Sequence, residues 1–200
     1  MNPAGRHALV LAGGAGRRFG GGKLTALWCG EPLVLVAVRT ALAATVDTVT
    51  VVTGADARVA EALFAVTDAR LRLVEAADWN EGMAASLRTG VAALPASAQA
   101  AVIFLGDMPL VPASLADRLL GAIIAGAPAA IIRSPQGPAH PVAFDVTLFP
   151  DLLRLRGDRG ARSVLAALGD RVAVIDCNHP GVVFDVDEPQ DLEIPGSQEP

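Results

Sequence analysis

Short apolar runs at Ala8–Ala12, Thr48–Thr53, Leu71–Glu75, Ala101–Leu105, Ala129–Ile132 and Val172–Ile175 alternate with segments of helical character, and this alternation limits the fold more than any other feature of the chain. Runs that stay apolar throughout suit strands buried on both faces, and parallel strands need a helix-length crossover between them. The intervening stretches supply it at Pro32–Ala44, Ala55–Ala65, Met83–Leu94, Ala113–Ala125, Thr147–Leu155 and Ala161–Leu168. The pattern predicts an α/β fold, a three-layer αβα sandwich with a mostly parallel sheet, as a single domain over residues 1–194 with a disordered tail at 195–200. Between Arg133 and Asp145 the composition turns rich in Pro and Gly. That stretch is expected to be a connection leading to a short Val142–Phe144 strand and walling a second substrate.

In open parallel sheets ligands sit beyond the carboxyl ends of the strands. The first strand runs into Gly13–Lys23, where eleven residues hold six glycines and the three cations Arg17, Arg18 and Lys23. Backbone N–H groups without side chains in the way can approach phosphate oxygens, with mobile positive charge around the same point. Two common phosphate loops do not match. A Walker A loop requires a glycine where Arg17 stands and a hydroxyl where Leu24 stands. A dinucleotide fingerprint requires a small third residue where Phe19 stands, and an acid after the second strand, which instead ends Val52-Thr53-Gly54.

A net charge of −5 argues against a nucleic-acid surface, which relies on a broad basic field. Cys29 and Cys177 lie in no metal or disulfide spacing. No apolar run reaches the roughly 18 residues of a membrane span, and Met1–His7 lacks signal-peptide character, so a cytoplasmic protein without membrane contact is expected.

Asp107 follows the Ala101–Leu105 run, which puts a carboxylate at the end of a central strand with Pro109 fixing the turn. Such an oxygen suits Mg2+, and a turn-capping aspartate is the plainer alternative. Asp185 and Asp187 alternate along Val183–Asp187, and in a strand would share one face about 7 Å apart while Val186 enters the core. The same residues also read as a helix N-cap before Pro189.

The run Leu11-Ala12-Gly13-Gly14, a glycine spacer, Arg18-Phe19-Gly20 and Lys23 resembles the molybdenum-cofactor nucleotidyltransferases, the molybdopterin guanylyl- and cytidylyltransferases. Gly82–Leu87, Gly106–Pro109, Gly137–Val142, Gly157–Arg162 and Asp185–Leu192 extend the likeness over roughly residues 7 to 194. The resemblance implies a Rossmann-like sheet of the nucleotide-diphospho-sugar transferase type. It implies that Leu11, Ala12, Gly13, Gly14, Gly16, Gly82 and Ser86 bind a nucleoside triphosphate, and that Arg18, Lys23 and Asp107 are catalytic. Asp107 with Asp187 or Asp185 would hold Mg2+, and His140, Asp158, Arg159 and Arg162 would hold the acceptor. The implied reaction moves CMP from CTP to the phosphate of molybdopterin, releasing pyrophosphate, with a molybdoenzyme or its chaperone receiving the product. Leu11-Ala12-Gly13-Gly14 is the form more familiar in guanylyltransferases, so GTP is the alternative donor. A NAD(P)H-dependent oxidoreductase resembling nicotine-blue reductase, and a noncatalytic nucleotide-binding module, are the readings from other classes.

Overall fold

The computed structural model describes residues 5–158 and 160–193. In chain order these form β1 (Arg6–Ala12), a small ribbon of β2 (Leu27–Trp28) and β3 (Glu31–Pro32), α1 (Leu33–Ala43), β4 (Thr48–Thr53), α2 (Arg58–Leu63) and β5 (Leu71–Glu75). There follow α3 (Met83–Ala92), β6 (Ala100–Leu105), α4 (Ser114–Ile124), β7 (Ala129–Ser134), β8 (Gly137–Asp145), α5 (Phe149–Leu152), α6 (Arg162–Leu168) and β9 (Val172–Asp176). The main sheet has seven strands in the order β5-β4-β1-β6-β8-β7-β9, with β8 antiparallel to both neighbours and the other pairs parallel.

The two faces of the sheet separate as the period of a strand requires. Ala8, Val10, Val102 and Phe104 enter one core with Leu33, Val34 and Val38 of α1 and Leu115, Leu119 and Leu120 of α4. Leu9, Ile103 and Phe144 enter a second core with Leu87 and Val91 of α3, Leu152 of α5 and Leu168 of α6. Helix α4 shows why such segments coil: Leu115, Ala116, Leu119, Leu120 and Ile123 line one buried stripe. It ends at Gly126, whose φ of +102° lets Ala127 N–H return to the Ala122 carbonyl.

The expected three-layer, Rossmann-like sheet is present, with corrections in its second half. Residues 137–145 form a nine-residue strand between β6 and β7 where a connection with a short strand was expected. The expected helix over Thr147–Leu155 divides into a 3₁₀ turn, Val146–Leu148, and the short α5. Val183–Asp187 is irregular backbone and not a strand. The expected tail at 195–200 lies outside the described residues. No helix of the described residues is long and apolar enough to cross a membrane.

After β1 the chain moves outward through β4 to β5, then returns to the other side of β1 as β6. The crevice at the carboxyl ends of β1 and β6 is therefore the point where strand order reverses. Because β8 runs the other way, its first residues, Gly137–His140, arrive at the same end of the sheet.

Candidate active site

From β1 the chain leaves the sheet through Gly13–Gly22. Gly20, Gly21 and Gly22 stand in succession at φ of +87°, +94° and +69°, a run only glycine adopts without strain. This curl returns Lys23 beneath Gly16, and Gly21 N–H closes it on the Gly16 carbonyl at 3.1 Å. Close approach governs the other end. A Cβ on Gly13 would lie 2.5 Å from Ser86 Oγ, and one on Gly54 would lie 2.8 Å from Trp79 Cβ. The loop is thereby pressed against the start of α3 and the turn that carries Trp79.

Lys23 Nζ donates to Asp107 Oδ2 at 2.6 Å and lies 3.4 Å from Asp187 Oδ1. The Arg18 guanidinium donates to the other oxygen, Asp187 Oδ2, at 2.8 Å. Residues more than eighty positions apart thus meet at one point. Gly106 N–H bonds to the Leu11 carbonyl at 2.9 Å, which fixes the turn carrying Asp107 to the end of β1. Val186 N–H bonds to the Asp107 carbonyl at 3.0 Å, and Val186 is fully buried, so the acidic segment is held without a strand. The helix start read at this point is present as a 3₁₀ turn over Pro189–Glu193, but the Asp187 carboxylate is engaged by Arg18 and Lys23, and Asp191 Oδ2 instead accepts from the backbone of Asp187 and Glu188, both at 2.8 Å.

Desolvation opposes ionisation of Asp187, but Arg18 and Lys23 outweigh it and hold the carboxyl below its ordinary range. Asp185 shifts the other way. Desolvation, and then the negative charges of Asp107 and Asp187, raise its carboxyl, with Lys23 offsetting only part. Nor do the two acids share one face as the strand reading expected: Asp187 lines one cavity and Asp185 lines its neighbour.

A cavity of about 510 Å³ opens over the loop, lined by Leu11, Gly13, Gly14, Gly16, Arg18, Lys23, Gly82, Ser86, Asp107 and Asp187. Ala12, expected among the nucleotide contacts, is buried at 2% exposure and lies in the core below the cavity. An adjoining cavity of about 480 Å³ holds His140, Asp158, Arg162 and Asp185 among apolar walls that include Leu87, Ile103, Phe144 and Leu165. Leu11, Met83, Leu105 and Asp158 border both cavities. Arg159 lies outside the described residues.

His140 follows Ala139 at an irregularity where Ile131 pairs with Val142 but Ile132 pairs with Ala139. The two residues excluded from the ladder, His140 and Pro141, leave the ring facing the second cavity. Its Nδ1 is buried without a partner. Burial lowers the imidazole below its ordinary value, against the raising effects of a bond to the Ile103 backbone and of Asp107.

Trp79 and Asn80 also line the first cavity, and residue-type reasoning passed over Trp79. The signal was available in Gly54, since a glycine closing a buried strand marks a close approach. Among the described residues no group of three or more His, Cys, Asp or Glu side chains is disposed to hold a metal alone. Two carboxylates converging on one cation do match Mg2+, which takes one or two carboxylates and completes its shell with water and substrate phosphates.

Residues 8–172 match the MobA-like NTP transferase domain. The purine catabolism protein PucB of Bacillus subtilis is 32% identical over 196 residues, 93% of each chain. A probable molybdenum cofactor guanylyltransferase of Haloferax mediterranei is 37% identical over 123 residues, 61% of this chain and 57% of its own. A nucleotidyl transferase of known structure from Methanothermobacter aligns with a TM-score of 0.79 at 26% identity over 93% of each chain. A glycine loop facing paired aspartates at the strand reversal, together with a family match across most of the chain, establishes that this protein belongs to the MobA-like NTP transferase family and is a nucleotidyltransferase.

Proposed function

We propose that the protein transfers CMP from CTP to the terminal phosphate of molybdopterin, and the observation that carries this reading is the meeting of Lys23, Asp107 and Asp187 on the wall of the first cavity, which adjoins a second across Leu11, Met83, Leu105 and Asp158. An acceptor phosphate oxygen attacks the α-phosphorus of the donor. The bond from that phosphorus to the bridging oxygen breaks, and pyrophosphate departs with the electron pair. No covalent enzyme intermediate is needed, so catalysis consists of alignment and charge stabilisation.

The glycine loop presents backbone donors to the triphosphate. Lys23 and Arg18 move their charge from the carboxylates to the α-phosphate and the leaving pyrophosphate. Asp107 and Asp187 would hold Mg2+, which when bound polarises the phosphoryl oxygens. Arg162 supplies a cation to the acceptor phosphate, and His140 Nδ1 offers a buried hydrogen-bonding position to the acceptor ring system. His140 is not needed as a base, because a phosphate nucleophile is already anionic near neutral pH.

Gly82, Ser86, Trp79 and Asn80 surround the base end. Cytidylyltransferases of this kind carry Ala where Gly13 stands. Here Ser86 Oγ lies 2.5 Å from the place such a methyl would take, so the Ser86 hydroxyl stands against the loop in its stead. PucB, the relative matched along nearly its whole length, is named for purine catabolism, which supports a place for this protein in heterocycle metabolism. A hydride-transferring oxidoreductase would leave Lys23, Asp107 and Asp187 without a task.

The test is pyrophosphate release from CTP, GTP, ATP and UTP with Mg2+ and molybdenum-loaded molybdopterin. Release from CTP, lost in Asp107→Ala, is expected. Turnover of GTP alone would reassign the donor, and oxidation of NADPH without pyrophosphate release would end the transferase reading for this chain.

A further inference from the structure

We infer that Arg88 is a positioning residue that couples the two cavities, by fastening the loop that walls the first to the loop that leads into the second; the inference rests on the two-substrate reading above. Arg88 lies in the second turn of α3, with 14% of its side chain exposed. Its Nη2 donates to Asp78 Oδ2 and, at 2.8 Å, to Glu81 Oε2. Its Nη1 donates to the Leu155 carbonyl at 2.9 Å.

Those partners bracket the working surfaces. Asp78 and Glu81 flank Trp79 and Asn80, which line the first cavity. Leu155 opens the segment that leads to Asp158 and Arg162, which line the second. Two more ties follow the same seam. Ala84 N–H bonds to the Gly157 carbonyl at 3.0 Å, and Gly82, at φ +108°, sits so close to the Asp158 carboxylate that any Cβ would collide with it. Of these ties only Arg88 spans both loops through a side chain, and it does so with a planar fork whose two ends point to different loops. A lysine ammonium could keep one end but not both.

The energetics favour a coupling role over a merely structural one. Asp78 and Glu81 have side chains 42% and 54% exposed, so without Arg88 they remain hydrated and strand no buried charge. What disappears is the mechanical tie. Occupancy of the first cavity fixes the Asp78–Glu81 turn, and through Arg88 it fixes Leu155–Asp158, so part of the ordering cost of the second cavity is already met when the acceptor arrives.

Hydrogen exchange tests this, with α,β-methylene CTP or α,β-methylene GTP and Mg2+ as probe, read at amides 13–23 and 152–158. In the wild type, saturating analogue is expected to slow exchange in both segments, by about tenfold in the second. In Arg88→Met the first segment stays protected, while slowing in the second falls below about twofold. Arg88→Lys behaves like Arg88→Met, and the double variant Asp78→Asn/Glu81→Gln, which keeps Arg88, also loses the transmitted protection. The inference is overturned if Arg88→Met retains slowing at 152–158, if that segment never responds while 13–23 does, or if Arg88→Met cannot protect 13–23 at saturation. If neither analogue protects 13–23 in the wild type, the nucleotide reading itself falls.

Discussion

Lys23 is the residue on which the charge balance turns. Only 12% of its side chain is exposed, and it faces Asp107 and Asp187 while Asp185 lies close enough for their charges to raise its carboxyl. Lys23→Met leaves these acids repelling one another and removes a donor from the departing pyrophosphate. Turnover measured as pyrophosphate release is expected to fall by about 100- to 1,000-fold. The fold is retained, because Arg18 still holds Asp187. Gly13 is constrained by space and not by charge. Gly13→Ala forces a methyl against Ser86 Oγ at 2.5 Å, whereas Ser86 Cβ is 3.6 Å away, an ordinary contact. The single variant is expected to lose about 1–3 kcal/mol in urea unfolding without nucleotide. Adding Ser86→Ala should restore most of that loss, a non-additivity that independent packing defects would not give.

Strand β8 joins the second cavity to the core. Phe144 is fully buried in the second core, packed in the same strand as Val142 and four residues from His140. Phe144→Ala is expected to cost about 3–5 kcal/mol, read as a lower urea midpoint with the slope unchanged. The same strand marks the limit of what could be read from sequence. Parallel strands such as β1, β4 and β6 announce themselves because both faces are buried and the whole run is apolar. In β8 the residues Gly137, Pro138 and Pro141 imitate a loop, and the ladder tolerates them because Gly137 and Pro138 open the strand and Pro141 sits at the irregularity. The meeting of Lys23 with Asp107 could be anticipated, since both follow strands at the same edge of a parallel sheet. The separation of Asp185 from Asp187 could not. It depends on Val186 being anchored to the Asp107 carbonyl, a long-range bond with no local signature. Trp79 and Arg88 were hidden for a related reason: their partners are backbone and side chains of loops whose approach only the tertiary fold decides.

For the molecule as a whole, acid sensitivity in the range below neutrality is expected to come from buried imidazoles. His7 lies in β1 at 2% exposure, with Nδ1 2.8 Å from Thr48 Oγ1 and Nε2 unpartnered. Desolvation lowers its pKa from the ordinary 6.5, and the nearby Asp47 offsets only part of the shift. Well above pH 6.5 the ring is neutral in both folded and unfolded chains and contributes no slope. As the pH falls below that value, the unfolded chain takes up a proton that the folded chain refuses, so stability declines until the folded-state value is passed. The slope cannot exceed about 1.4 kcal/mol per pH unit for each such group. His140 is shifted in the same direction, again chiefly by burial, and adds to the decline. Asp185, raised in the fold, acts in the opposite sense. Aspartates 56, 68 and 176, each held by an arginine, are lowered from 3.8 and stay silent in this window. His7→Leu removes one titrating group and leaves the Thr48 hydroxyl, which is half-buried, able to turn to water. Urea unfolding at pH 7.5 and 5.5 should therefore show a smaller loss on acidification for His7→Leu than for the wild type. Equal losses in the two proteins would mean that His7 accepts its proton inside the fold, and that the start of the central strand opens to water more readily than its burial indicates.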